Sequence, residues 1–144
     1  MTLSGQAPGT RCGIVLLGRE YAWAGLVRTP TGVDVVHRHG ARGTEGSFAQ
    51  SPAPAGTVEL RLSVDADGVA TFAWRAADQA ADPSETPSET KTWHDFPSAW
   101  AAVEGHWIGA EVGLFAAAPP GTPADERGDA LFGPVRVTVA GKDA

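Results

Sequence analysis

The sequence contains one cysteine, one methionine and one tyrosine in 144 residues. Cys12 stands alone, so an intramolecular disulfide, a thiolate metal site and a Cys-X-X-Cys redox pair are excluded, and a buried thiol is expected. Basic residues are also scarce: 11 Lys and Arg against 17 Asp and Glu leave a net charge of −6, and charged side chains make up 19% of the chain, against about 25% ordinarily. The few Lys and Arg form no cluster, which removes the electrostatic footprint for nucleic acid or an anionic membrane surface. No apolar run approaches the roughly 20 residues that cross a bilayer. The opening M-T-L-S-G-Q-A-P-G-T has neither a basic n-region nor an apolar h-region, so no export signal is predicted and a cytoplasmic location is the expectation. Helical periodicity never exceeds about two turns; its best stretch, residues 98–103, is stopped by Gly105.

Glycine and proline are abundant, with 18 and 11 residues, together about a fifth of the chain where about 12% is usual. That composition suits a turn-rich β protein. In residues 57–64, Val58, Leu60, Leu62 and Val64 alternate with Thr57, Glu59, Arg61 and Ser63, the period of a strand with one wet face. Asp65-Ala66-Asp67-Gly68 then supplies turn residues, and residues 69–75 place Ala70, Phe72 and Trp74 on a common side, which predicts a hairpin. Thr29-Pro30-Thr31-Gly32 separates strands at 21–28 and 33–39 in the same way, and further strands are predicted at 11–17, 111–117 and 131–139.

These elements predict an all-β fold, a two-sheet antiparallel jelly-roll-like sandwich forming one domain over residues 1–144. Its expected core is Val58, Leu60, Leu62, Phe72, Val112, Leu114, Phe115 and Val135. Two stretches read as irregular, residues 40–56 and 76–90. The second carries Asp78, Asp82, Glu85 and Glu89 with no basic residue, and reads as a mobile acidic insertion in preference to a cation site, because Ca²⁺ needs several oxygens held in a fixed loop.

No motif for catalysis is present: neither G-x-S-x-G, nor H-E-x-x-H, nor a phosphate-binding loop, nor alternating carboxylates on a strand. His37 and His39 share a strand side, a two-ligand metal clip at best; without a third ligand they read as half-exposed strand histidines. His94 and Asp95 are adjacent and point to opposite faces if extended, and His106 sits beside Gly105. Among the aromatics, Trp74 falls on the core side and Trp107 opens an apolar segment, so both read as structural. Tyr21 and Trp23 lie opposite Ala22, Ala24 and Leu26, which places both rings on the outer face of a sheet. Such a pair can stack on a pyranose, with Glu59 and Arg61 as neighbouring hydrogen-bonding groups, unless a partner domain covers that face.

Three segments resemble the C-terminal β-sandwich domain of glycoside hydrolase family 43 β-xylosidases: R-C-G-I-V-L-L-G-R-E-Y-A-W-A-G-L at 11–26, G-T-V-E-L-R-L-S-V-D-A-D-G at 56–68, and G-H-W-I-G-A-E-V-G-L-F-A at 105–116. The third is the most specific. The resemblance implies a concanavalin A-like sandwich and a non-catalytic role, because the family's catalytic carboxylates lie on a separate propeller. In that family the closing strand typically reads A-D-F-D-x-F, whereas Leu131 and Gly133 stand here at the aspartate positions. The family's sandwich packs on the catalytic domain and in some members binds xylan, so the resemblance implies xylan or xylo-oligosaccharide, or a catalytic domain on another chain, as partners, and no cofactor. The family's additional N-terminal strands have no counterpart before Met1. An uncovered sheet edge is therefore expected, and with it a homodimer or docking onto a separate chain, made by edge pairing or by the face bearing Tyr21 and Trp23.

Overall fold

A computed structural model describes residues 1–5, 7–18, 20–41, 44–77, 92–101 and 111–138. The described residues form eleven strands, all paired antiparallel, and no helix long and apolar enough to cross a membrane. In chain order they are β1 (Thr2–Leu3), β2 (Arg11–Leu17), β3 (Glu20–Thr29), β4 (Gly32–Ala41), β5 (Thr44–Pro52), β6 (Val58–Val64), β7 (Val69–Ala76), β8 (His94–Asp95), β9 (Trp100–Ala101), β10 (Glu111–Ala117) and β11 (Ala130–Leu131). Five make one sheet in the order β10-β2-β3-β4-β5; the smaller sheet runs β6-β7-β8 with β9 also on β7, and β1 pairs with β11. The fold is the all-β sandwich predicted.

Alternation explains how the layers meet. Cys12, Leu16, Ala22, Ala24, Leu26 and Val35 of the large sheet pack with Val58, Ala70, Phe72, Phe96 and Trp100 of the small-sheet side in one buried cluster. Leu60, Leu62 and Trp74 pack against it half-buried, in keeping with their predicted side. Both predicted turns form: Thr29 Oγ1 accepts from the Gly32 amide at 3.1 Å, and Asp65 Oδ1 accepts from the amides of Asp67 and Val69, each at 2.9 Å, before Gly68 at φ 76°.

Several expectations are corrected. Residues 44–52, read as irregular, form β5 on β4. The ladder steps from His37↔Ala49 to Arg38↔Ser47, so position 48 is an extra residue, and this bulge breaks the alternation that would have marked a strand. Val112, Leu114 and Val135 are exposed, and Phe115 packs on the outer face beside Val15, Trp23, Val27 and Val36. The closing strand is only β11: residues 132–138 join no ladder, and Pro134 has no amide to give one. Ala76, assigned to the acidic insertion, ends β7. Positions 78–90, residues 102–103, His106 and Trp107 lie outside the described residues, and Trp100–Ala101, within the stretch of best helical periodicity, forms β9.

His37 is fully buried, contrary to its reading as half-exposed. Its ring lies 4.8 Å from that of Phe72 and 5.3 Å from that of Phe96, with Nδ1 3.3 Å from Ser98 Oγ. Burial, reinforced by nearby His39, lowers its pKa to about 4, so the folded state holds it neutral while the unfolded chain protonates near about 6.5. The unfolded state therefore binds more protons between those values. Stability should fall as pH drops through that window and gain nothing from this residue above it; urea midpoints against pH should show the slope, and His37→Phe should flatten it.

Candidate functional site

Each outer face of the sandwich carries a polar patch built on a three-strand row. On the large sheet, Tyr21 of β3 faces Gly40 of β4, which faces Glu45 of β5. Gly40 has no side chain, so Glu45 can reach across β4. Its Oε2 accepts from Tyr21 Oη at 3.1 Å and Trp23 Nε1 at 3.0 Å, and its Oε1 from Arg38 at 3.2 Å and Arg11 at 3.4 Å. Burial by itself raises the Glu45 pKa, but the hydrogen bonds from Trp23, Arg38 and Tyr21 and the Arg11 charge outweigh it and hold the carboxyl below its ordinary value. The Tyr21 phenol is pushed up, by burial first and by Glu45 second.

Trp23 is enclosed by this arrangement and is 2% exposed. Its indole meets Phe115 edge-on at 5.0 Å and 84°, with the Arg11 and Arg38 guanidinium carbons each 5.8 Å from its centre. Gly13 and Gly25 face each other across β2 and β3 beside these rings. A Cβ on Gly13 would strike the Ala24 carbonyl, and one on Gly25 the Cys12 carbonyl, so the backbones approach as only glycine permits.

On the small sheet, Arg61 of β6, Ala73 of β7 and Asp95 of β8 form the corresponding row. Small Ala73 lets Arg61 reach Asp95 at 3.4 Å, while Glu59 pairs with Arg75 directly opposite. Trp93, just before β8, has the guanidinium carbons of Arg61 and Arg75 each 4.6 Å from its ring centre. His94 turns the other way and stacks on Trp74 at 4.6 Å.

The four residues singled out from sequence are thus divided. Tyr21 and Trp23 do lie opposite Ala22, Ala24 and Leu26, but Trp23 is covered; Glu59 and Arg61 belong to the other sheet's outer face, where their aromatic neighbour is Trp93. Sequence reasoning missed Glu45, Arg11, Arg38, Arg75 and Trp93 as members of these patches, because only cross-strand register joins them. No group of three His, Cys, Asp or Glu able to hold a metal occurs among the described residues. A cleft of about 400 Å³ beside β1, β11 and the end of β10 has Asp129 as the one carboxylate among its lining residues, so it offers no acid/base pair.

A family model for the β-xylosidase C-terminal concanavalin A-like domain matches residues 1–136. The chain belongs to this family. No curated protein and no solved structure matches it significantly. As a β-xylosidase C-terminal concanavalin A-like domain, it corresponds to a part of those enzymes separate from the catalytic domain.

The two patches should respond differently to substitution. Glu45→Ala strands four donors at a half-buried position and should lower the unfolding free energy by about 2–3 kcal/mol. Glu59→Ala breaks an exposed pair and should cost less than about 1 kcal/mol. Urea denaturation of the two variants checks both values.

Proposed function

We propose that this chain is a non-catalytic accessory module of a xylan-degrading enzyme and that it docks on the catalytic domain. The observation that carries the reading is an apolar flank. Val112 and Leu114 of β10 pair with Leu16 and Ile14, so they share the inner side of the large sheet, yet they are 59% and 47% exposed. Leu131, Val135 and Val137 are also exposed. Apolar groups presented on the core side of a sheet call for a partner surface. A second reading, direct contact with xylan, is favoured by the half-buried Trp93 and the ion pairs around it.

The purified chain should release no product from aryl-xylosides or arabinofuranosides, since hydrolysis requires two carboxyls about 5–9.5 Å apart at one sugar site. Turnover abolished by a single Asp or Glu substitution would overturn the accessory reading. Mixed with the separately expressed propeller of a family 43 β-xylosidase, the chain should elute with it, and Leu114→Asp should release it. A homodimer that excludes the propeller would assign the flank to a second copy instead.

A further inference from the structure

We propose that the cleft of about 400 Å³ beside β1, β11 and the end of β10 is a binding site for a small zwitterion, an amino acid or dipeptide with both termini free, with Arg127 receiving its carboxylate and Asp129 its ammonium group. This goes beyond the accessory reading above and does not depend on it. The cleft is a place where unmatched polar groups converge. Arg127 and Asp129 both line it, and among the described residues neither takes part in an ion pair, with each other or with any other group. Thr10 lines it as well. This residue is only 4% exposed, its amide and carbonyl are bonded to Ala7 and Arg28, and its buried Oγ1 has no hydrogen-bond partner among the described residues. A buried hydroxyl left unpaired destabilises the fold, and a ligand seated on Thr10 supplies a partner for a group that both donates and accepts. Arg11, the remaining charged lining residue, is already engaged by Glu45 at 3.4 Å.

The charged residues are held in place before any ligand arrives. Asp129 donates its amide to Ser4 Oγ and accepts the Ser4 amide on its carbonyl, both at 2.9 Å. Gly128, at φ 67°, lies so close to β1 that a Cβ there would strike Gly5 and the Ser4 carbonyl. Arg127 donates Nε to the Thr122 carbonyl at 3.0 Å, and Thr122 is itself tied to the Pro119 carbonyl by its amide at 3.2 Å and its hydroxyl at 2.8 Å. These bonds use the Arg127 Nε and the Asp129 backbone, and they leave the outer guanidinium nitrogens and the carboxylate for a ligand. A guanidinium fixed at Nε and a carboxylate on a clamped backbone lose less freedom on binding than mobile surface side chains do. Leu3, Ala116, Pro119 and Ala130 add apolar lining, which suits an aliphatic side chain. Charge selects the ligand. Arg127 and Asp129 cancel, so a monoanion meets the Asp129 carboxylate and a monocation the Arg127 guanidinium, whereas a zwitterion satisfies both. A cleft of this volume stands at the small end of ligand sites, which limits the ligand to about one or two residues.

The test is a backbone amide chemical-shift titration of the full chain with leucyl-leucine and, as separate arms, with N-acetyl-leucyl-leucine, which lacks the ammonium group, and leucyl-leucinamide, which lacks the carboxylate. The site predicts saturable shifts for the dipeptide centred on residues 3, 10–11, 116–118, 121 and 127–130, and at least about tenfold weaker binding of either blocked form. Arg127→Gln and Asp129→Asn should each weaken dipeptide binding to a similar extent, while Arg136→Gln, outside the cleft lining, should bind as the unsubstituted chain does. Equal binding of a blocked form overturns the zwitterion assignment. Shifts that do not saturate, or that map elsewhere, overturn the site. The blocked forms are compared on the unsubstituted protein, so that comparison and the shift map decide the question should either variant fail to fold.

Discussion

In a two-layer sandwich each sheet has one face on the core and one on water, but β3 is buried on both. Residues 22–27 are buried without a break: Ala22, Ala24 and Leu26 against the small sheet, Trp23 and Val27 in a separate outer cluster with Val15 and Val36. Among the described residues no third layer of strands closes the outer cluster, and the large sheet covers it with side chains. Phe115 covers the indole edge-on, and the Glu45 carboxylate gathers Tyr21, Trp23, Arg11 and Arg38 across four strands. The close approach at Gly13 and Gly25 belongs to the same arrangement, since it leaves room for two rings where side chains would otherwise stand.

The Glu45 clamp and the Trp93 patch use one structural device. In each, a long side chain reaches its partner over the small middle residue of a three-strand row, Gly40 in one sheet and Ala73 in the other. What differs is solvent. Glu45 binds two indole and phenol donors and two guanidiniums in a half-buried place, where breaking the network strands charge. The Arg61–Asp95 and Arg75–Glu59 pairs stay wet and hold their groups in position at small energetic gain. The first patch closes a face, and the second leaves its charged groups open to solvent, with the Arg61 and Arg75 guanidiniums over the Trp93 ring.

The local parts of this fold were legible in the sequence, and the non-local parts were not. The alternation of residues 58–64, the Asp65-to-Gly68 turn and the opposition of Tyr21 and Trp23 to Ala22, Ala24 and Leu26 all depend on near neighbours in the chain. β5 escaped because its bulge at position 48 erases period two and because Gly46, Gln50 and Ser51 give its edge little apolar character. Trp23 was placed on the correct side but read as exposed, since its cover, Glu45, lies 22 residues away in that unrecognised strand. His37 looked polar and half-exposed for a related reason: the rings that enclose it, Phe72 and Phe96, come from the opposite sheet side. Trp93 belongs to no periodic segment, and only the register of β6, β7 and β8 brings it to Arg61 and Arg75.

Val112 and Leu114 show where alternation stops being informative. Their spacing is that of a core strand, and their neighbours across the ladder, Leu16 and Ile14, do reach the core or its margin. Burial depends, however, on what lies opposite, and β10 is the edge of a five-stranded sheet facing a smaller one centred on β6 and β7. The core cluster draws on β2, β3 and β4 and includes no residue of β10, so the inner side of the edge strand is left over by the mismatch in width. An apolar strip produced in this way follows the sheet edge and adjoins the domain's own core. A partner seated there would extend the existing hydrophobic layer without forming a new one.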